Sequence, residues 1–168
     1  MDADITASLA RGSRTSPTLR ALLDGLEQSD VIVYIEARWL HGGEAAGSTR
    51  FVTHAGGQRY LRVTVDILVQ GDAAIALIGH ELQHASEIAR APWVVDQATL
   101  DELYRTIGRA DCTSTAAARY ETAAAREVGW TVLHELRHGQ RPPTAGAPHR
   151  GNLSGLSVKR ASTPRSTR

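Results

Sequence analysis

The chain has 168 residues, enough for one domain with its own core, and its single cysteine, Cys112, excludes an intramolecular disulfide. Apolar residues make up 42% of the chain, yet no apolar run is long enough to cross a membrane, so we expect no membrane span. The first residues are acidic and lack the basic and apolar regions of a signal peptide. The sequence as given therefore predicts a cytoplasmic protein, whereas a start further upstream would allow export.

Charge divides the chain into two parts. Residues 139–168 carry six basic and no acidic side chains, while the preceding 138 residues carry 13 basic and 18 acidic ones. The C-terminal part is rich in Pro, Gly, Ser, Thr and Arg, a composition typical of disorder. We therefore predict a folded domain over 1–138 and a basic, disordered tail over 139–168. We expect the tail to be solvated, with binding to anionic surfaces or to the acidic domain as the alternative, and no specific nucleic-acid partner.

The N-terminal half is predicted to contain helix followed by strands. Residues 5–28 form one amphipathic helix or two short ones, with Pro17 near a helix start. The β-branched run 31–35 and the segment 51–54 are strands, and a tight turn at 55–58 leads into a third strand over 60–68. The leucines of the helical stripe are Leu19, Leu22, Leu23 and Leu26; the residues that the third strand buries are Leu61, Val63, Val65 and Ile67.

Three helices are predicted in the second half. The first begins at Gly71 and Asp72, with Asp72 as its N-cap, and Pro92 ends the region after it. Residues 97–107 form a short helix in which Thr99 and Glu102 have the spacing of a capping box. A third helix follows a Thr/Ser loop at 113–115. The order of elements predicts an α+β fold.

Residues 80–84 read His-Glu-Leu-Gln-His inside the apolar run of the 71–88 helix. Two histidines four residues apart project from one face of a helix and can hold one zinc ion. Glu81 is turned about 100° away, so it flanks the metal and can act as general base toward zinc-bound water. Such a pattern is expected by chance only about 0.015 times in a chain of this composition. The alternative is that these are core histidines satisfied by hydrogen bonds. The pattern resembles the HExxH signature of the zincin metallopeptidases.

A second HExxH pattern occupies residues 134–138. A charged residue, Arg137, takes one of its middle positions, and the Gly and Pro residues of 139–143 end the helix at once. An imidazole on the last turn of a helix is more typically a partner of the helix dipole than a metal ligand. We therefore expect the first copy to bind the metal and the second not to.

The third zinc ligand has two candidates in the sequence. Glu87 lies on the face of the two histidines, but it is seven residues from His80, about 10 Å along a helix, so it is expected to support the site or line the cleft edge. Glu121 precedes small residues on a helix that can pack close to the first, with Glu127 on that helix pointing outward. A surface glutamate is the alternative for Glu121. The inward face that it would share contains Ala125, Val128 and Val132.

The motifs HELQH at 80–84 and YETAAA at 120–125 together resemble the gluzincin arrangement, and the chain looks most similar to small bacterial zincin-like proteins of unassigned substrate. The resemblance covers about 30–138. It implies a zinc peptidase of peptide or protein substrates, with His80, His84 and Glu121 as ligands and Glu81 as base. It also implies a minimal zincin-like core, in which a small antiparallel sheet packs on the HExxH helix and on a second ligand helix.

Two further expectations concern the cleft. In zincins an edge strand lies above the cleft and can pair with an extended substrate, and the hairpin formed by 51–54 and 60–68 would supply that strand. Tyr120 and Tyr104 are phenols that could stabilise an oxyanion, although each is more typical of a packed aromatic residue. The alternative function is a non-catalytic zinc-binding scaffold or sensor domain, in which the metal only joins two helices.

Overall fold

Five helices, a three-stranded sheet and a short two-stranded sheet form the part of the chain that the computed structural model describes, residues 3–40, 45–110 and 120–139. The predicted α+β class is confirmed. None of the helices in these ranges is long and apolar enough to span a membrane. Cys112 and residues 140–168 of the predicted tail lie outside the described residues. The elements are α1 (Ala3–Thr15), α2 (Pro17–Glu27), β1 (Val31–Arg38), β2 (Gly47–Ala55), β3 (Gln58–Asp66), α3 (Gly71–Ala89), α4 (Gln97–Ile107), β4 (Arg109–Ala110), β5 (Tyr120–Glu121) and α5 (Ala123–His138).

The N-terminal helices form the predicted pair. The Ser16 side chain caps α2 by accepting a hydrogen bond from the Leu19 amide, and Pro17 occupies the first turn, where its missing N–H costs nothing. The apolar stripe of α2 is buried at Leu19, Leu22 and Leu26, with Leu23 partly buried beside it.

The sheet is mixed, with strand order β1-β3-β2. β3 runs parallel to β1 and antiparallel to β2, so the prediction of an antiparallel sheet is wrong for one of its two pairings. The predicted hairpin between β2 and β3 is present and turns at Gly56 and Gly57, whose φ angles of 61° and 76° suit a tight two-residue turn. After the hairpin turn, β3 enters the sheet between β2 and β1. β3 therefore lies beside β1 and runs in its direction.

The alternation predicted for β3 holds for three of the four residues. Leu61, Val63 and Val65 are buried against the helices, but Ile67 is 42% exposed. The strand ends at Asp66, whose side chain accepts a hydrogen bond from the Leu68 amide at 3.0 Å. This turn takes Ile67 off the sheet, and its place in the periodic pattern no longer determines its burial.

Two predicted helix starts are wrong in detail. The N-cap of α3 is Gln70, and Asp72 lies in the first turn, where it accepts a 2.7 Å hydrogen bond from Arg11 on α1. The capping box of α4 joins Asp96 to Thr99, not Thr99 to Glu102, because Asp96 is the residue just before the helix. The carboxylate at each start is near a positive helix end, which favours it.

The helix α3 is central, with apolar side chains buried on nearly all sides, as expected: Ile75, Ile78, Leu82, Ala85 and Ile88. Its closest neighbour, α5, approaches at two glycines. A Cβ atom on Gly79 would lie 3.1 Å from Val132, and one on Gly129 would lie 3.3 Å from the His80 Cβ. The small residues after Glu121 were expected to let this helix pack close to α3. Only Ala125 is buried, whereas Ala123 and Ala124 are exposed. Glycines at the crossing thus set the distance between the two helices.

Candidate metal centre

His80 and His84 lie one turn apart on α3, on the side that faces the chain entering α5. His84 is buried and His80 is half-buried. Their ring centroids are 5.1 Å apart, with one ring edge-on to the other. Since the helix is packed in the core on its other faces, the two rings are held on the one side where a polar group can meet them.

Glu121 meets both histidines, although it does not lie on a helix as expected. It is the last residue of the short strand β5, which pairs with β4, and Thr122 separates it from α5. Its Oε2 is 3.3 Å from His80 Nε2, and its Oε1 is 3.9 Å from His84 Nε2. One ligand atom from each of the three residues lies within 4.8 Å of the other two. The structure therefore brings the three predicted ligands together, with the third delivered by a strand end.

The donor set could hold a metal ion. Two imidazole nitrogens and one carboxylate oxygen are the ligands of a catalytic zinc site, which keeps a further position open. Among the described residues, Oε1 of Glu121 is a buried side-chain oxygen without a hydrogen-bond partner. A buried carboxylate oxygen of this kind is costly unless a cation or a donor reaches it. A metal between Glu121 and the two Nε2 atoms would satisfy it.

A proton can hold the same three groups together. Burial alone would lower the pKa of His80, but its hydrogen bond to Glu121 and the negative charges of Glu81, Glu121 and Glu87 raise it above its ordinary value. Burial likewise opposes ionisation of Glu121, yet the hydrogen bond and charge of His80, with the charge of His84, lower its pKa. The site is thus arranged for positive charge between carboxylate and imidazoles.

Glu81 lies beside the ligand cluster and is buried, with 4% of its surface exposed. Its Oε2 accepts a 2.8 Å hydrogen bond from Thr49 Oγ1 on β2, and a Cβ atom on Gly47 would be only 2.5 Å from its Oε1. Burial raises the pKa of Glu81, against the lowering effects of the histidine charges and of the Thr49 hydroxyl. Sequence reasoning identified neither Thr49 nor Gly47; its only signal was that the hairpin should lie over the cleft.

Glu87 is not one of the three clustered ligands but contacts one of them, His84, on the ring nitrogen away from Glu121. Its Oε2 is 3.0 Å from His84 Nδ1, and its Oε1 accepts a 2.8 Å hydrogen bond from Thr122 Oγ1. His84 thus has Glu87 on one ring nitrogen and Glu121 near the other. Thr122 was not singled out in the sequence, although its place directly after Glu121 could have suggested it.

The two candidate oxyanion donors have different outcomes. Tyr104 is buried edge-on against the His84 ring, with centroids 5.3 Å apart, and its hydroxyl donates to the His84 carbonyl at 3.3 Å. Burial raises the pKa of this phenol. Its proton is used inside the protein, which favours a packed aromatic residue, and the oxyanion role of Tyr104 stays a prediction. Tyr120 is described by its backbone in β5, and its side chain lies outside the described part of the structure.

The second HExxH pattern lies at the far end of α5. His134 and His138 are exposed, their rings stack at 4.2 Å, and His138 Nδ1 donates to the His134 carbonyl. Glu135 turns the other way, onto Ser16 and Thr18 at the start of α2. Within the described ranges, no group of three possible metal ligands includes either histidine. This copy joins two helices; that it binds no metal stays a prediction.

The remaining polar candidate stays away from the cluster. Glu127 is exposed on α5, as its position on the helical wheel predicted. No protein-family model, curated protein or solved structure matches this chain. The resemblance to gluzincins therefore stays a prediction, and function has to be argued from the residues of the site.

Proposed function

We propose that the chain is a zinc-dependent hydrolase, most specifically a peptidase, in which His80, His84 and Glu121 hold the metal and Glu81 is the general base. The observation that carries this proposal is the convergence of three ligand atoms within 4.8 Å, next to a buried carboxylate outside the ligand set. A structural zinc usually has four protein ligands and favours cysteine. Three nitrogen and oxygen ligands beside a spare carboxylate support catalysis.

The division of labour follows from the positions of the side chains. A zinc ion held by His80, His84 and Glu121 would supply Lewis acidity, which acidifies water and polarises a carbonyl oxygen. Glu81 accepts the proton of the attacking water and delivers it to the leaving amine. Thr49 and the bare Cα of Gly47 hold the Glu81 carboxylate between α3 and β2. A base fixed in this way loses little conformational freedom when the reaction begins.

The substrate class follows from β2, which is an edge strand of the three-stranded sheet. Its second half lines an open groove with the loop before α4; the lining residues are Phe51, Val52, Thr53, His54, Val95, Asp96 and Gln97. An extended peptide can add to a strand edge through main-chain hydrogen bonds, and on β2 it would replace Gln97 Oε1 at the Phe51 amide. Since the same strand contacts Glu81 through Thr49, a peptide bound along β2 would pass close to the general base. These features support a peptide or protein substrate.

The non-catalytic alternative has one observation in its favour. The ligands come from two elements, α3 and β5, so a bound metal would also join these elements. A zinc scaffold or sensor needs that joint and has no use for a general base. The state of Glu81 therefore discriminates between the two functions.

The test begins with the zinc content of the purified full chain after dialysis against a mild chelator. We expect about one zinc per wild-type chain. The Glu121→Ala variant should bind zinc about ten-fold or more weakly. Glu127→Ala is the matched control, because this glutamate on α5 is exposed and should leave zinc binding unchanged.

Turnover of a peptide library then tests the base. Glu81→Gln should keep its zinc and lose about 10²–10⁴-fold in rate, the usual contribution of a positioned general base. Equal turnover in this variant would refute the mechanism. Zinc binding without turnover in the wild type would favour the scaffold.

A further inference from the structure

We propose that Glu87 and Thr122 form a positioning pair, the Glu87–Thr122 clamp. This pair holds His84 and Glu121 in the positions that metal binding requires before a metal binds. The inference rests on the proposed function in one respect, that the site binds zinc. Neither residue touches the metal position: the three-ligand cluster consists of His80, His84 and Glu121. The clamp acts on two of those ligands from behind.

One carboxylate joins the two elements that carry the ligands. Oε2 of Glu87 is 3.0 Å from His84 Nδ1 on α3, and Oε1 accepts from Thr122 Oγ1, at 2.8 Å, between β5 and α5. The Glu87 side chain is 8% exposed and Thr122 is 4% exposed, so water competes little for either contact. Hydrogen bonds of this kind to a buried charge are stronger than neutral ones.

On the α3 side, the clamp determines which nitrogen of His84 can bind a metal. An ionised carboxylate only accepts hydrogen bonds, so His84 Nδ1 must carry the proton that it shares with Glu87. The Nε2 lone pair then points to the Glu121 side of the ring, where Nε2 is 3.9 Å from Glu121 Oε1. Such a partner fixes both the tautomer and the orientation of a metal-binding imidazole, and it raises the basicity of the ligand nitrogen.

On the β5 side, the clamp fixes the backbone position of Glu121. Thr122 is the single residue between β5 and α5, and its side chain also caps α5 by accepting a 3.0 Å hydrogen bond from the Ala125 amide. Its hydroxyl therefore donates to Glu87 and accepts from the helix, and both capacities are used. Because the Thr122 side chain is hydrogen-bonded to both Glu87 and α5, the backbone of the adjacent Glu121 is held in place as well.

Glu87 is a positioning residue and not a fourth ligand. It contacts the ring nitrogen of His84 that points away from Glu121, and its second oxygen is taken by Thr122. The glutamate of the second HExxH pattern shows the contrast: Glu135 contacts the start of α2, through Ser16 and Thr18. Glu135 is a half-buried glutamate whose hydrogen-bond partners lie outside the three-ligand cluster, so it offers a matched control.

The first experiment measures zinc affinity by competition with a chromogenic chelator, on the full chain. Glu87→Ala and Thr122→Val should each weaken zinc binding by about 10–100-fold, the usual effect of removing a partner of a metal ligand. Thr122→Ser keeps the hydroxyl and should restore affinity to within about two-fold of wild type. Glu135→Ala should lower stability and leave affinity unchanged. Unchanged affinity in both Glu87→Ala and Thr122→Val would overturn the clamp.

A second experiment needs no metal. Nitrogen-15 NMR of the imidazoles in the metal-free chain, at pH 8, should show His84 with its proton on Nδ1, and Glu87→Ala should lose that preference. A wild-type His84 with its proton on Nε2 would overturn the clamp, whatever the chain binds. A wild type that binds no zinc but shows the Nδ1 proton would refute the proposed function and support the clamp as a feature of the fold. The two failures are therefore distinguishable.

Discussion

At the scale of single residues, Gly47 has room for a hydrogen atom and nothing larger. It lies where β2 crosses α3, and an added Cβ would be 2.5 Å from Glu81 Oε1 and 3.0 Å from Leu77 Cδ1. Both neighbours are side chains packed against the inner face of the strand. The glycine is therefore required by the close approach of the Glu81 carboxylate and not by its backbone angles.

Replacing this glycine should be costly. Gly47→Ala is expected to lower the free energy of unfolding by about 1–3 kcal/mol through overpacking, and to reduce turnover by displacing the Glu81 carboxylate. Zinc content should not change, because the ligands lie outside the contact. Urea unfolding measures the stability, and Gly25→Ala is the control: a Cβ on that α2 residue meets nothing within 4 Å. The control should gain about 0.5–1 kcal/mol, and an equal response of the two variants would contradict the packing argument.

At the scale of elements, the glutamate of the second HExxH pattern anchors α5 to α2. Glu135 Oε2 accepts from Ser16 Oγ at 2.5 Å and from the Thr18 amide at 3.2 Å, and its Oε1 accepts from Thr18 Oγ1 at 2.8 Å. A carboxylate at a helix N-terminus also interacts favourably with the helix dipole. The glutamate of the second HExxH pattern thus joins two helices.

We expect Glu135→Ala to lower the free energy of unfolding by about 1–3 kcal/mol, since it leaves three donors without their acceptor. Zinc affinity should be unaffected. The double variant His134→Ala/His138→Ala changes exposed side chains of the same motif and should stay within about 0.5 kcal/mol of wild type. Chemical unfolding and zinc titration on the same samples check both statements, and loss of zinc in either variant would speak against a purely structural second copy.

At the scale of the whole molecule, Arg59 joins the sheet to the end of the HExxH helix. It is 1% exposed, and its NH1 donates to the carbonyls of Ile88 and Ala91 at 2.8 Å, at and just after the C-terminus of α3. Each of these carbonyls also accepts a hydrogen bond from a backbone amide at 3.0 Å, Ile88 from Ala91 and Ala91 from Val94, so Arg59 adds a second donor to both. Its Nε and NH2 contact the two oxygens of Asp30 at 2.7 and 2.6 Å, just before β1. One buried guanidinium therefore connects β1, β3 and α3.

The Asp30 contact makes stability depend on pH in a defined direction. The hydrogen bond and charge of Arg59 hold the pKa of Asp30 below its ordinary value of 3.8. The stability that the ionised Asp30 contributes to the folded state is therefore complete above that pH. It is lost as the pH falls through the lower pKa of the folded state, because the unfolded chain takes up the proton first. Asp30→Asn should be less stable than wild type at pH 6, and the difference should shrink below pH 4. Thermal unfolding of metal-free protein across this range is the measurement, and a constant difference would contradict the linkage.

Much of the secondary structure could be predicted because its signals are local. The leucine stripe of α2, the alternation of β3 and the apolar run of α3 each follow from side-chain periodicity over a few turns or residues. Errors arose where a boundary determined the outcome: Ile67 follows the end of β3, and Asp72 lies inside the helix that it was expected to cap. The chain order of strands could not reveal the mixed sheet, because pairing depends on where the hairpin returns.

For the candidate site, the sequence alone determined what spacing on one helix can determine: His80 and His84 on a shared face, with Glu81 turned aside. It also indicated Glu121 as the third residue, but assigned it to a helix. Only the tertiary structure decided that Glu121 ends a strand, that Thr49 and Gly47 enclose Glu81, and that Glu87 and Thr122 join the two halves. The physical reason is separation along the chain. A helix fixes the geometry of residues three or four apart, whereas contacts across 32 or 35 positions depend on how whole elements pack.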